Sequence, residues 1–145
     1  MYKLDTMAAD ELEPGIYRYT AGEHPANIAN FLAEVDWRSF YLDGRLIKDK
    51  ASFLERAGTA MEFPDYVGQN WDAFEEAVRD LEWAPAEGYL LLYDYPQNFA
   101  ANSPEEWNSA VSIMQEAIDY WRARGIPLFV LLRKTDGSLN DISRL

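Results

Sequence analysis

Two stretches of the chain, GYLLLYDY (88–95) and PLFVLLR (127–133), are almost unbroken apolar runs. A strand with one wet face alternates apolar and polar residues, so runs of this kind belong to strands buried on both faces. Between them Trp107, Val111, Met114, Ile118 and Trp121 recur at helical spacing. Strand, helix, strand in that order implies parallel pairing through a right-handed crossover. The expected fold class is therefore α/β, with a small parallel sheet flanked by helices.

The remaining segments fill in this plan. Pro14-Gly15 marks a turn, and IYRYT alternates like a strand within residues 15–20. Ile28, Phe31, Leu32 and Val35 keep helical spacing, and WRSFYLDG (37–44) reads as a second strand closed by Asp43-Gly44. Phe53, Leu54, Ala57 and Met61 share one face of a further helix. Ser103-Pro104-Glu105-Glu106 has the form of a capping box, and Gly125 is placed to end the helix that it opens. Two helices follow one another between the second and third strands, and about four strands are expected in all. Residues 1–13 read as an acidic, poorly ordered tail and residues 14–145 as one domain. At 145 residues, 48% of them hydrophobic, there is ample material for a core.

Charge excludes several functions. The chain has 25 acidic and 13 basic residues, a net charge of −12, and its longest basic cluster is Arg133-Lys134. Direct nucleic-acid binding is not expected, because a phosphate backbone would be repelled. A partner steered by this field would be a basic protein. The absence of Cys rules out disulfides, thiolate chemistry and a thiolate zinc site. No apolar run approaches the ~20 residues needed to span a bilayer. The N-terminal segment has neither the basic nor the apolar region of a signal peptide, so the expected location is cytoplasmic.

The charge is also uneven. Between residues 62 and 87, Glu62, Asp65, Asp72, Glu75, Glu76, Asp80, Glu82 and Glu87 face a single Arg79. Asn70 is a good N-cap, and Asp72 suits the positive end of the helix dipole. Trp71, Phe74, Val78 and Leu81 form one helical stripe, while Asp72, Glu75, Glu76 and Arg79 form a neighbouring one. Like charges at i, i+4, as in Asp72 and Glu76, cost the helix a few tenths of a kcal/mol. Glu75 and Arg79 recover a similar amount.

Catalytic candidates are weaker. His24, the only histidine, precedes Pro25 at a helix start and has no second His or Cys with which to build a metal or Ser-His-Asp set. Asp94 ends a buried strand, where α/β proteins often bind ligands, yet a lone carboxylate there reads first as a hydrogen-bonded strand-end residue. Asp72 and Glu76 on one helix face would not flank a sugar from opposite sides as a glycosidase pair must. Gly68 alone does not make a phosphate-cradling loop, and no metal or cofactor is implied.

The segment PDYVGQNWDAFEEAV (64–78) resembles the barstar-like family, intracellular inhibitors of secreted bacterial ribonucleases. Pro64, Tyr66, Gly68, Asn70, Asp72, Ala73 and Ala77 stand where the family has the same residues. The resemblance spans about residues 40–133 and leaves an extra strand–helix unit at the N-terminus. It implies an inhibitor rather than an enzyme, one that occludes a cationic active site by imitating RNA phosphate with its acidic helix and loop. Tyr66, Gly68 and Asn70 would supply the loop contact, Asp72 the first-turn contact and Glu76 the deepest carboxylate. Glu75, Arg79 and Trp83 would complete the surface. Four positions depart from the family pattern: Glu76 replaces Asp, Glu75 and Leu81 replace aromatic residues, and Tyr120 replaces an acidic residue. These changes point to a different cognate partner. The alternative is a binding module of the same fold for a basic protein that is not a nuclease. A small enzyme using Asp94 or Asp72 is the more distant option.

Overall fold

The computed structural model describes residues 2–145. The chain runs α1 (Tyr2–Ala8), β1 (Ile16–Arg18), α2 (Pro25–Ala33), β2 (Trp37–Asp43), α3 (Lys50–Ala60), α4 (Trp71–Val78), β3 (Gly88–Asp94), α5 (Gln97–Asn102), α6 (Pro104–Arg122) and β4 (Leu128–Arg133). Short 3-10 turns occupy Gly44–Leu46 and Gly137–Leu139. The four strands form one sheet in the order β1-β4-β3-β2, and every pairing is parallel. The α/β class and the four-stranded parallel sheet expected from the sequence are both present. Among the described residues no helix is long and apolar enough to cross a membrane.

The two apolar runs are explained by cover on both sides of the sheet. Tyr89, Leu91, Tyr93, Leu128, Val130 and Leu132 pack with Phe53, Phe74, Phe99, Trp107 and Trp121 from α3 to α6. Their alternate neighbours Leu90, Leu92, Phe129 and Leu131 pack with Leu4, Met7, Ile28 and Leu32 from α1 and α2. Fully burying one such aliphatic side chain contributes about 1.5–3 kcal/mol, so neither layer is dispensable.

That second layer corrects one expectation. Residues 1–13 do not form only an acidic tail: Tyr2–Ala8 is helical, and Leu4 and Met7 are completely buried. Their i, i+3 spacing places both on one helix face. Met1 lies outside the described residues. At the other end the C-terminal segment flanks β1, with Arg18 N–H donating to Ser143 O and Leu145 N–H to Arg18 O, each at 2.8 Å.

Several helix ends follow local chemistry. His24 is the N-cap of α2, its Nδ1 accepting from Ala26 N–H at 3.1 Å. Asp49 and Ser52 make a reciprocal capping box on α3. After α6 the chain turns at Gly125, φ 77°, where Gly125 N–H reaches Arg122 O and Ile126 N–H reaches Trp121 O. This is the paired closure that a left-handed glycine permits. The capping box expected on α6 does not form: Ser103 Oγ donates to Lys48 O at 2.9 Å, and Glu106 is committed elsewhere.

Candidate partner-binding surface

The acidic helix is seated on the core through its own Trp71 and Phe74 and through Phe53 and Trp121 below it. Phe74 packs edge-on against Phe53 at 5.3 Å between ring centroids. Trp71 lies against Phe53 at 5.8 Å, and its Nε1–H donates to Glu106 Oε2 at 2.8 Å. This bond uses the Glu106 carboxylate that the capping box would have needed. At the far end Trp121 Nε1–H donates to Val78 O at 2.8 Å, satisfying a carbonyl in the last turn of α4. The helix stops there. Leu81, expected to continue the helical stripe, reaches the core from a left-handed backbone at φ 47°.

The lead-in loop fixes the start of α4. Val67 N–H closes a turn on Pro64 O at 3.0 Å, which carries Tyr66 out into solvent with 73% of its surface exposed. Asn70 caps the helix, its Oδ1 accepting from Ala73 N–H at 2.8 Å. A Cβ on Gly68 would sit 3.1 Å from Asn70 Nδ2, so the absence of a side chain leaves room for the capping amide.

The carboxylates are not equivalent. Glu75 is half-buried and paired with Arg79, Oε1 to Nη2 at 3.3 Å. Asp72, Glu76 and Asp80 are exposed, and among the described residues none of the three makes an ion pair or side-chain hydrogen bond. Unpaired charge on a structured surface is free to meet a partner. Glu76 and Asp80 border a notch of about 140 Å³ whose other walls include Tyr66, Gly68, Ala73, Ala77 and Trp83. Trp83 is fixed by a hydrogen bond from its Nε1–H to Met61 O at 3.0 Å and by edge contact with Phe63. Of the eight residues singled out from sequence, Tyr66, Gly68, Glu76 and Trp83 meet at this notch, and Asn70 and Asp72 stand beside it at the start of α4. Glu75 and Arg79 form a separate pair on the same helix. Sequence reasoning did not assign Asp80, although its position four residues after Glu76 was the available signal.

Asp94 is committed to the fold. Arg133 Nε and Nη2 donate to its Oδ1 and Oδ2 at 2.8 and 3.0 Å, and Tyr41 Oη–H donates to Oδ2 at 2.9 Å. Arg133 Nη1 also donates to Glu23 O at 2.6 Å and Ala21 O at 3.3 Å in the β1–α2 loop. Burial first, then the Asp94 hydrogen bond and charge, push the Tyr41 phenol up to about 12. Asp94 is in register with Leu90 and Leu92 and so faces the α1–α2 layer, whereas Phe74 and Val78 of α4 pack on the opposite face of the sheet. Asp94 and Asp72 do not share a cleft.

No curated protein sequence matches the chain. Among solved structures it resembles the ORC2 protein of Aeropyrum pernix, described in ADPNP-ADP complexes, at 12% identity and a TM-score of 0.62. That likeness covers 93% of this chain and 40% of the other. It also resembles Cdc6p of Pyrobaculum aerophilum at 18% identity and a TM-score of 0.59, covering 97% of this chain and 39% of that one. The chain thus spans about two fifths of the length of either protein, and at these identities the likeness is one of fold. The family described as Barstar (barnase inhibitor) matches residues 37–133, a span running from β2 through the loop and α4 to the end of β4. The chain belongs to the Barstar family.

Proposed function

We propose that this protein binds a basic ribonuclease and inhibits it by covering its active site. One observation carries the reading: Asp72 and Glu76 project unpaired from a rigidly seated helix, with Asp80 unpaired in the turn that follows it, beside the exposed ring of Tyr66 and within the span that matches an inhibitor family. A ribonuclease cleft is cationic because it holds a phosphodiester. A protein carboxylate placed there accepts the same charge-assisted hydrogen bonds, bidentate where Arg is the donor. Glu76 is the central phosphate mimic and Asp72 supports it from the first turn. Tyr66, Gly68, Asn70 and Trp83 shape the contact around them. The net charge of −12 speeds encounter with a cationic partner and makes it salt-sensitive. A protein of this kind acts inside the producing cell, where the ribonuclease would otherwise cleave RNA.

The bonds made by Asp94 favour a structural role for that carboxylate over a catalytic one. The function is tested by titrating the protein into RNA-cleavage assays with cationic microbial ribonucleases. Loss of activity at one-to-one stoichiometry, relieved by Glu76→Ala and by salt, is the expected result. If the same surface captured a basic protein that cleaves no RNA, the family fold would be serving a different partner and the phosphate-mimic mechanism would fail.

A further inference from the structure

The acidic surface has a cationic border. Arg124 Cζ lies 3.5 Å from the ring centroid of Tyr120, and its Nη1 donates to Tyr120 O at 3.0 Å. Arg79 Cζ lies 5.8 Å from the same centroid while its Nη2 pairs with Glu75. Glu75, Arg79, Tyr120 and Arg124 therefore form one connected row from α4 to the end of α6. Arg79 is the only basic residue between positions 62 and 87, and it sits one helical turn from Glu76.

A cation at the carboxyl end of α6 is favourable without any partner, because of the helix dipole. Arg124 is nevertheless held as well as tolerated. The ring and the carbonyl fix the plane of its guanidinium, and among the described residues it has no carboxylate. A fixed guanidinium with free N–H groups is preorganised for a planar carboxylate. Opposite an unrelieved basic rim the same group would be repelled. Juxtaposed like charges suppress the wrong partner as effectively as contacts favour the right one.

We propose that Arg79, Tyr120 and Arg124 form a second contact that takes a carboxylate on the partner, so that the protein selects ribonucleases bearing an acidic residue beside their cationic cleft. This rests on the ribonuclease reading of the acidic face and adds a rule for which ribonucleases it accepts. The border is a specificity filter.

The test measures inhibition constants for barnase and a panel of other cationic microbial ribonucleases. It uses the unaltered protein, Arg79→Ala, Arg124→Ala, the double variant and Arg124→Lys, with thermal melts to confirm that each is folded. Against the best-inhibited enzyme the double variant should weaken inhibition at least about tenfold, the scale of one truncated charge contact. Arg124→Lys should fall between, since it keeps the charge and loses the plane. Against the poorly inhibited enzymes the double variant should tighten inhibition. Unchanged constants throughout, or tighter inhibition of the best-inhibited enzyme, would overturn the filter alone, provided that Glu76→Ala still relieves inhibition. If the unaltered protein inhibited no member, the ribonuclease reading would fail and this proposal with it.

Discussion

Arg133 meets Asp94 through two parallel hydrogen bonds, 2.8 and 3.0 Å long, across the carboxyl ends of β4 and β3. Both residues are almost wholly buried, and the third guanidinium nitrogen reaches the carbonyls of Ala21 and Glu23. The pair therefore joins the family-matched core to the N-terminal unit that lies outside it. Parallel α/β sheets commonly place a ligand at this edge, and here the chain's own side chains fill it.

Removing one partner leaves the other charged and buried. Arg133→Ala or Asp94→Ala is expected to cost about 3–5 kcal/mol, measured by urea denaturation. The double variant should cost less than the sum, because neither orphan remains. Hydrogen exchange in the β1–α2 loop should rise in Arg133→Ala. If the single variants lost no more than a surface ion pair does, the pair would not be holding this edge.

The α1 helix makes a similar claim on stability. Leu4 is fully buried against the sheet face that also carries Leu90, Leu92, Phe129 and Leu131. Leu4→Ala should lower unfolding free energy by about 2–5 kcal/mol. Deleting residues 1–8 should expose that face to a hydrophobic dye. An unchanged melting curve after the deletion would show α1 to be peripheral.

Alkaline pH should unfold the protein earlier than its charge alone suggests. Burial raises Tyr93, and burial followed by the Glu23 contact raises Tyr19. Tyr41 is pushed up to about 12 by burial and by Asp94. A phenol with a raised folded value holds its proton in the folded state while the unfolded chain releases it. Its contribution is thus intact below about pH 10 and lost as pH rises toward the folded value. Stability read from denaturant midpoints should be flat below about pH 9 and fall above 10, with tyrosinate absorbance following unfolding. Tyrosine ionisation completed before unfolding would contradict this.

Much of this architecture was legible in sequence because it rests on short-range patterns. Continuous apolar runs specified β3 and β4, and Asn70 marked the start of α4. Other features depended on distant competition. Ser103 and Glu106 have the spacing of a capping box, yet Trp71, 35 residues away, takes the Glu106 carboxylate. Leu81 continues the helical stripe of α4 while its backbone has already turned left-handed. Leu4 and Met7 kept helical spacing, but the acidic residues around them suggested a tail. Asp94 announced itself at the end of a buried strand, and Arg133 stood at the same level of the neighbouring run. Only the strand order brings the two together.

Within the acidic surface the carboxylates should differ in weight. Glu76 borders the notch with Tyr66 and Trp83, so Glu76→Ala should weaken binding to an inhibited ribonuclease by about 2 kcal/mol or more, roughly thirtyfold. Asp72→Ala should cost less, and Glu75→Ala less again, since Glu75 already pairs with Arg79. Isothermal titration at two salt concentrations separates the central contact from the rim. Equal losses at all three positions would indicate general electrostatic attraction without a central anchor.

The most direct measurement of phosphate mimicry is competition. A non-cleavable RNA oligonucleotide would be bound to the ribonuclease that this protein inhibits best, and the protein titrated in while the release of oligonucleotide is followed by fluorescence anisotropy. Mutual exclusion is predicted: each equivalent of protein displaces one oligonucleotide, and Glu76→Ala displaces it only at much higher concentration. A stable ternary complex of ribonuclease, oligonucleotide and protein would place the contact outside the active site and contradict the account.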